Sequence, residues 1–303
     1  MLNRRILRIK AFKSVYALAE NPAMTVKEAE AQLEQSCEST RDLHLFMLAL
    51  IPAVTAEAKS RIEAAQSKFN PTEEEKHPNL KFVNNAIAPI LAADPDFQKI
   101  ISKRHLSWGQ YDVFMRHLYE SMRASDYFAE YMASTESSPA EDAALFVKMF
   151  ENELVDSAEL EAILEDLSIW WNDDLAYALT ACCRVVEDLA KGARWNMPPL
   201  YLSEMNGSAE SDKAFVVKLV RTACIGFQKY TEAVAASTHK WDKDRICTTD
   251  LALIVCGQAE SDAFSATPAK VIINEYVEIS KYYSTPESRS FVNGLLDKLI
   301  NKK

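Results

Sequence analysis

The chain has 303 residues, of which 48% are hydrophobic and 10% aromatic, so it can bury a core without disulfide or metal cross-links. Only six glycines and eleven prolines occur, which favours helices over strand-rich folds that need glycine at their turns. The formal net charge of −10 argues against a general nucleic-acid binder, because an acidic surface repels a polyanion.

The N-terminal segment has a charge opposite to that of the rest of the chain. Residues 1–19 contain five basic residues and no acidic one, which leaves −15 for the remainder of a chain whose total is −10. We expect a small basic arm on an acidic body. Lys10 and Lys13 interrupt the apolar run that a secretory signal peptide needs, so export is not expected.

Capping signals and apolar spacing predict helices along the chain. Thr25 with Glu28 and Ser138 with Glu141 have the spacing of capping boxes, and prolines follow Ser138, Thr267 and Thr285 where helices would begin. Two apolar stripes have helical spacing: Ile9, Phe12, Tyr16 and Ala19 near the N-terminus, and Ile272, Tyr276, Ile279 and Tyr283 near the C-terminus. These patterns predict an all-α protein with roughly ten or more helices and no sheet.

Two breaks divide the predicted helices into three parts. They lie at 70–78 and at 198–211, which are rich in proline, polar residues or both. The predicted parts are 1–69, 70–207 and 208–303. We expect the middle part to be ordered, with Trp108, Trp170, Trp171 and Trp195 filling a core, or else presenting an aromatic surface to a partner. The longest apolar stretch, 43–56, is broken by Pro52 and is shorter than the roughly 18 residues that span a bilayer, so no membrane helix is expected.

Motifs of catalysis and metal binding are missing from the sequence. The six cysteines include no C-x-x-C pair, and we interpret them as reduced core residues. No nucleotide-binding glycine motif, G-x-S-x-G or H-E-x-x-H occurs, and the five histidines lack ligand spacing. We therefore predict no enzyme, no catalytic residue, no metal and no cofactor.

Both ends of the chain resemble one known family. Near the C-terminus the ordered string consists of Lys270-Val271, Ile273-Asn274-Glu275, Val277-Glu278, Lys281, Ser288, Phe291-Val292-Asn293-Gly294 and Leu296-Asp297. It resembles the C-terminal signature of NusB, the family of bacterial transcription antitermination factors. The pattern R-R-x-x-R-x-K-A-x-K-S-x-Y at 4–16 resembles the basic arm and first helix of that family. The resemblance covers about 1–20 and 209–303, so the middle part is interpreted as an inserted helical region.

This resemblance implies a specific role. It implies an all-helical bundle that pairs with NusE, a ribosomal small-subunit protein, and binds single-stranded boxA RNA from the leaders of ribosomal RNA operons. Such a protein suppresses premature termination and contacts the RNA polymerase elongation complex indirectly. Neither DNA nor a membrane is an expected partner, and the expected location is the cytoplasm.

Candidate RNA contacts follow from the resemblance and from charge. Arg4, Arg5 and Arg8 are the phosphate candidates, with Arg8 first because it lies within the helix that must dock; the alternative is a solvated basic tail. Tyr16 is RNA-proximal or a core tyrosine whose hydroxyl reaches the surface. Glu287 and Phe291 lie at the start of the last helix, at the family's RNA face, although Leu295 and Leu299 follow Phe291 at core spacing.

The contact with the protein partner is predicted at one residue. Two other functions are alternatives to RNA binding. Asp250 begins the segment that in the family faces the protein partner, and an acidic side chain suits a basic ribosomal protein. Val255 stands where many members carry a basic residue, and with the acidic body it favours an alternative: a helical interaction scaffold of NusB-like fold without RNA binding. A NusB-like accessory domain of an RNA methyltransferase is disfavoured, because six glycines are few for a cofactor-binding sheet.

Overall fold

The computed structural model describes residues 2–201, 211–238 and 246–301. Its helices are α1 Arg4–Glu20, α2 Val26–Leu48, α3 Leu50–Gln66, α4 Glu73–Lys76, α5 Ile87–Ala93, α6 Pro95–Lys103, α7 Asp112–Ala124, α8 Asp126–Ala133, α9 Pro139–Met149, α10 Ala158–Leu167, α11 Leu175–Ala190, α12 Asp212–Ser237, α13 Thr248–Ala263, α14 Ala269–Tyr283 and α15 Pro286–Ile300. A 3₁₀ turn at Phe82–Asn84 and a π-helical turn at Phe150–Leu154 complete the described helical segments. Strand-type pairing in these residues is limited to an isolated bridge between Leu2 and Tyr201, so the all-α prediction is confirmed.

The chain forms two compact units. Unit 1 comprises Met1–Glu38 and Pro199–Lys303, and unit 2 is Ser39–Pro198. Residues 39–69, predicted to belong with the N-terminal part, pack in unit 2 instead, because α2 passes the boundary at Glu38 without a break in its sequence pattern. The predicted break at 198–211 lies at the other boundary, although its residues 202–210 lie outside the described residues.

Unit 1 is built around α13. This helix contacts α1, α12, α14 and α15, and its residues from Ala252 to Glu260 are all buried. A helix that is buried on every side lies inside a bundle. Gly257 permits the closest approach, since a Cβ there would lie 2.6 Å from a methyl carbon of Leu296 on α15.

Unit 2 has an aromatic core. Phe46 on α2 stacks on Trp108 with ring centroids 4.0 Å apart and on Trp171 at 5.6 Å. Two of the core indole N–H groups are hydrogen-bonded: Trp108 donates to the carbonyl of Phe46 at 2.8 Å and Trp171 to that of Ser39 at 2.9 Å. The predicted core role is thus confirmed for Trp108, Trp171 and Trp195, whereas Trp170 is half-buried.

One helical stretch, Val26–Gln66, is long and apolar enough by length and composition to cross a membrane. Pro52 does not interrupt it, contrary to the expectation from sequence, because the proline stands in the first turn of α3, where its missing N–H costs little. However, 67% of the most apolar window of this stretch is buried inside the protein. Leu43, Phe46 and Ile51 lie in the aromatic core, and a core helix passes the same test of length and composition.

The position of the boundary makes a testable prediction about fragments. We expect the fragment 39–198 to be helical and to unfold cooperatively, whereas 79–198 should lose the cooperative transition. The shorter fragment lacks α3 and the end of α2, which supply Phe46, Leu50 and Val54 to the core. Circular dichroism with thermal unfolding measures both. Equal stability of the two fragments would contradict this assignment of residues 39–78.

Candidate nucleic-acid interface

The basic N-terminal segment forms a helix that is packed into unit 1. The side chain of Asn3 caps α1 by accepting a hydrogen bond from the backbone N–H of Ile6 at 3.0 Å. Leu7, Ala11 and Val15 form its buried face. The segment is therefore not an extended arm, because α1 begins at Arg4 and its basic side chains project from a docked helix.

Arg8 lies in a buried ion pair. Its Nε is 2.9 Å and its Nη2 2.6 Å from the two carboxylate oxygens of Glu260 on α13, and Glu260 is 0% exposed. The hydroxyl of Tyr276, on α14, donates to the same carboxylate at 2.9 Å. The bonds to Glu260 outweigh the cost of burial and raise the pKa of Arg8. Arg8 is the preferred phosphate candidate from the sequence. A phosphate can reach it only if this ion pair opens.

Arg4 and Lys10 are also engaged within unit 1. The Nε of Arg4 is 2.5 Å from a carboxylate oxygen of Asp212, in the first turn of α12, and its guanidinium carbon lies 4.1 Å from the centre of the Phe215 ring. The buried ammonium of Lys10 donates to the backbone carbonyl of Ser36 at 3.0 Å. These contacts fix α1 in place and reduce the positive charge that it offers to solvent.

Arg5 is the most exposed of the three predicted arginines, with half of its side chain open to solvent. It forms two hydrogen bonds with the carboxylate of Glu275, at 2.8 and 3.1 Å. These bonds hold the pKa of Glu275 below its usual value and raise the pKa of Arg5, to which Glu278 and Tyr282 also contribute. Arg5 therefore lies close to the C-terminal half of α14.

Tyrosines and a lysine surround this end of α14. The ammonium of Lys13 lies 5.9 Å from the centre of the Tyr283 ring, and the Phe12 ring lies 5.2 Å from Tyr283. Tyr16 follows one turn later on α1, is 38% exposed and lies 6.4 Å from Phe12. Tyr282 is 82% exposed. We call Lys13, Tyr16, Tyr282 and Tyr283 the tyrosine surface.

The remaining predicted residues lie on α13 and α15. Glu287 is exposed in the first turn of α15, where Thr285 caps the helix and bonds to backbone and hydroxyl donors lower the pKa of the carboxylate. Phe291 is half-buried on the same helix. Asp250 is 4% exposed and accepts a hydrogen bond from the Ser284 hydroxyl at 2.5 Å. Asp250 thus ties α13 to the end of α14 and does not present its carboxylate to a partner in this conformation.

Two functional features were missed in the sequence. Tyr282 lies one position off the buried stripe that contains Tyr276 and Tyr283, so the same periodicity marks it as a surface aromatic. Glu260 gave no local signal, because an acidic residue on α13 is recognisable as the partner of Arg8 only when the two helices are packed together. No group of three or more His, Cys, Asp or Glu side chains in the described parts of the chain is placed to hold a metal ion.

Comparison with known proteins places this unit in a family. The NusB family model matches residues 176–301. A transcription antitermination protein NusB from Finegoldia magna is 33% identical over 94 residues, which cover 31% of this chain and 69% of the relative. A second, from Geobacter sulfurreducens, is 30% identical over 114 residues and is covered to 83% of its length. The chain belongs to the NusB family.

The comparisons cover only part of this chain and, in some cases, only part of the relative. A NusB protein from Syntrophotalea carbinolica, 36% identical over 91 residues, is covered over 58% of its length. No solved structure matches the chain significantly. The NusB family model begins in α11, upstream of residue 209 where the C-terminal resemblance was placed, and it includes all of α12 to α15. Most of unit 2 precedes the matched residues.

The buried ion pair predicts a large and specific loss of stability. Glu260→Gln removes the carboxylate bonded to the buried guanidinium of Arg8 and leaves it only the more distant carboxylate of Glu275, 3.6 Å from Nη1, so we expect the free energy of unfolding to fall by up to about 3–5 kcal/mol. Glu278→Gln is the matched control, because Glu278 pairs with Lys281 in an exposed i, i+3 bridge and should cost less than about 1 kcal/mol. Urea unfolding monitored by circular dichroism measures both. Similar losses would show that the pair does not organise the unit.

Proposed function

We propose that the protein is a transcription antitermination factor that binds single-stranded RNA through unit 1, in the cytoplasm and without catalysing a reaction. Two observations support this proposal. The chain belongs to the NusB family, whose members from Finegoldia magna and Geobacter sulfurreducens are named transcription antitermination proteins, and unit 1 carries the tyrosine surface. The finer proposal is that the RNA is boxA of ribosomal RNA operons and that NusE is the partner that binds with it. Contact with the RNA polymerase elongation complex is then indirect.

The observation that carries RNA binding is the combination of exposed aromatic rings with a cation on one surface. Tyr16 is 38% and Tyr282 82% exposed, and the ammonium of Lys13 lies over the ring of Tyr283. Unstacked bases bind aromatic side chains at roughly 1–3 kcal/mol per base, while Lys and Arg neutralise the phosphates between them. Arg5, half-exposed and bonded to Glu275 on α14, is a further cation at the start of α1.

Electrostatics explains why a partner is needed for tight binding. Arg4, Arg5 and Arg8 each pair with a carboxylate, so the positive charge of α1 is largely neutralised inside unit 1. A basic protein docked near the tyrosine surface would supply the missing positive charge and raise the affinity for RNA. Glu287 and Phe291 remain candidates for the far edge of the RNA contact, whereas buried Asp250 is a poor candidate for the docking residue.

The same pairing supports a second candidate, a helical interaction scaffold of NusB fold that does not bind RNA. Its specific support is that all three predicted phosphate contacts already have carboxylate partners. Val255, where many members carry a basic residue, is fully buried and offers no contact to either RNA or protein. The two candidates differ in whether the tyrosine surface contributes to RNA affinity.

Substitution of the exposed tyrosines tests the proposal. We expect Tyr16→Ala/Tyr282→Ala to weaken binding of boxA RNA by about tenfold or more, about 1.4 kcal/mol, because two stacking rings are removed. Fluorescence anisotropy with labelled boxA RNA, with and without NusE, measures the affinity. NusE should tighten binding by a similar factor, and RNA should tighten NusE binding equally.

Ile225→Ala is the matched control, since Ile225 is 73% exposed on α12 and lies outside the tyrosine surface. It should leave RNA affinity unchanged. If the purified chain binds boxA RNA neither alone nor with NusE, the scaffold becomes the better account. If it binds and the double variant binds equally well, the RNA contact lies elsewhere on the protein.

A further inference from the structure

Unit 2 contains the most acidic segment of the chain. Residues 149–183 hold nine acidic residues and no basic one, in a chain whose total charge is −10. The acidic residues are Glu151, Glu153, Asp156, Glu159, Glu161, Glu165, Asp166, Asp173 and Asp174. The −15 body inferred from the sequence is therefore concentrated around α10, which lies in the middle of this segment.

Grooves lie on both sides of α10. One, of about 400 Å³, is bounded by apolar side chains such as Val155, Leu164 and Trp171 and by the four carboxylates of Asp156, Glu161, Glu165 and Asp173. The other, of about 340 Å³, combines Tyr111, Val113 and Ile163 with the three carboxylates of Asp112, Glu159 and Asp166. Neither groove has a basic residue in its lining. We call α10 with these two grooves the α10 ridge.

Apolar side chains are exposed along the same ridge. Val155 is 48% and Val113 54% exposed, one in each groove. Leu167, the last residue of α10, is 40% exposed, and Ile169, just beyond the helix, is 74% exposed. Scattered exposed hydrophobic residues are ordinary, but a group of them that borders two grooves is typical of a surface that is covered by a partner.

Four of the carboxylates that line the grooves form no ion pair with another described residue. Glu159 bonds to His117 at 3.0 Å, and Glu153 accepts hydrogen bonds from Ser121 and Tyr127. The side chains of Asp156, Glu161, Glu165 and Asp166 are exposed and form no ion pair in the described part of the chain. Like charges so close together repel one another, and a cationic partner would relieve that repulsion.

We propose that the α10 ridge is a docking surface for a basic amphipathic segment of a protein partner. Apolar side chains of such a segment would fill the two grooves, and its lysines or arginines would meet the seven carboxylates that line them. RNA does not fit this surface, because its phosphates would face carboxylates only. The proposal does not depend on RNA binding by unit 1, since it uses residues of unit 2 alone.

Binding of a synthetic helix to the full-length protein tests whether the α10 ridge accepts a basic amphipathic segment. The probe is a fluorescently labelled amphipathic helix of lysines and leucines, and anisotropy measures its binding. We expect Glu161→Lys/Glu165→Lys to weaken binding by about tenfold or more, a loss of about 1.4 kcal/mol. The control, Glu63→Lys/Glu74→Lys, makes the same charge change at exposed positions of unit 2 outside both grooves and should have little effect.

Further comparisons separate a docking surface from general attraction to negative charge. Leu167→Ser/Ile169→Ser should also weaken binding, and replacement of the leucines in the probe by serine should abolish most of it. A probe with glutamates in place of lysines, and a single-stranded RNA, should not bind the ridge. Equal losses in both charge-reversal variants, or equal binding of the leucine and serine probes, would overturn the proposal. Tm and circular dichroism of each variant confirm that the fold is intact.

Discussion

A guanidinium and a carboxylate that are shielded from water join the first helix of unit 1 to its most buried helix. A buried charge is tolerated only when an opposite charge and hydrogen bonds replace the lost water, and Arg8, Glu260 and Tyr276 meet this condition together. The pair fixes the rotation of α1 about its axis. Phe12, one turn after Arg8, is thereby placed against Tyr283, and Tyr16 reaches the edge of the surface another turn later.

The basic residues of α1 stabilise the fold of unit 1, and this use makes them less available to phosphates. Four of the five cations in residues 1–19 bind carboxylates or backbone carbonyls of unit 1, and Lys13 lies over an aromatic ring. In the proposed function, RNA affinity then depends on stacking and on a basic partner more than on charge carried by this chain. Exposed tyrosines contribute the same stacking energy at any net charge, which suits a protein whose total is −10.

Local patterns in the sequence predict the helices well, because caps and apolar stripes act within a few residues. Thr25 and Glu28 form the reciprocal hydrogen bonds of a capping box, and Thr285 with Pro286 begins the last helix. Contacts between distant segments leave no such signal. Arg8 and Glu260 are separated by 252 residues, and Asp250 is separated by 34 from Ser284, to which it is bonded. The boundary between the units at Glu38 likewise has no signal in the sequence, since α2 continues through it.

The central claim is that unit 1 binds RNA at the junction of α1 with the end of α14. Photo-crosslinking of boxA RNA that carries 4-thiouridine, on the full-length chain with NusE present, locates the contact directly by mass spectrometry. We predict crosslinked peptides that contain Tyr16 and the Tyr282-Tyr283 pair, and none from the acidic segment 149–183. Crosslinks that map to unit 2, or that leave α1 and α14 unmodified, would contradict it.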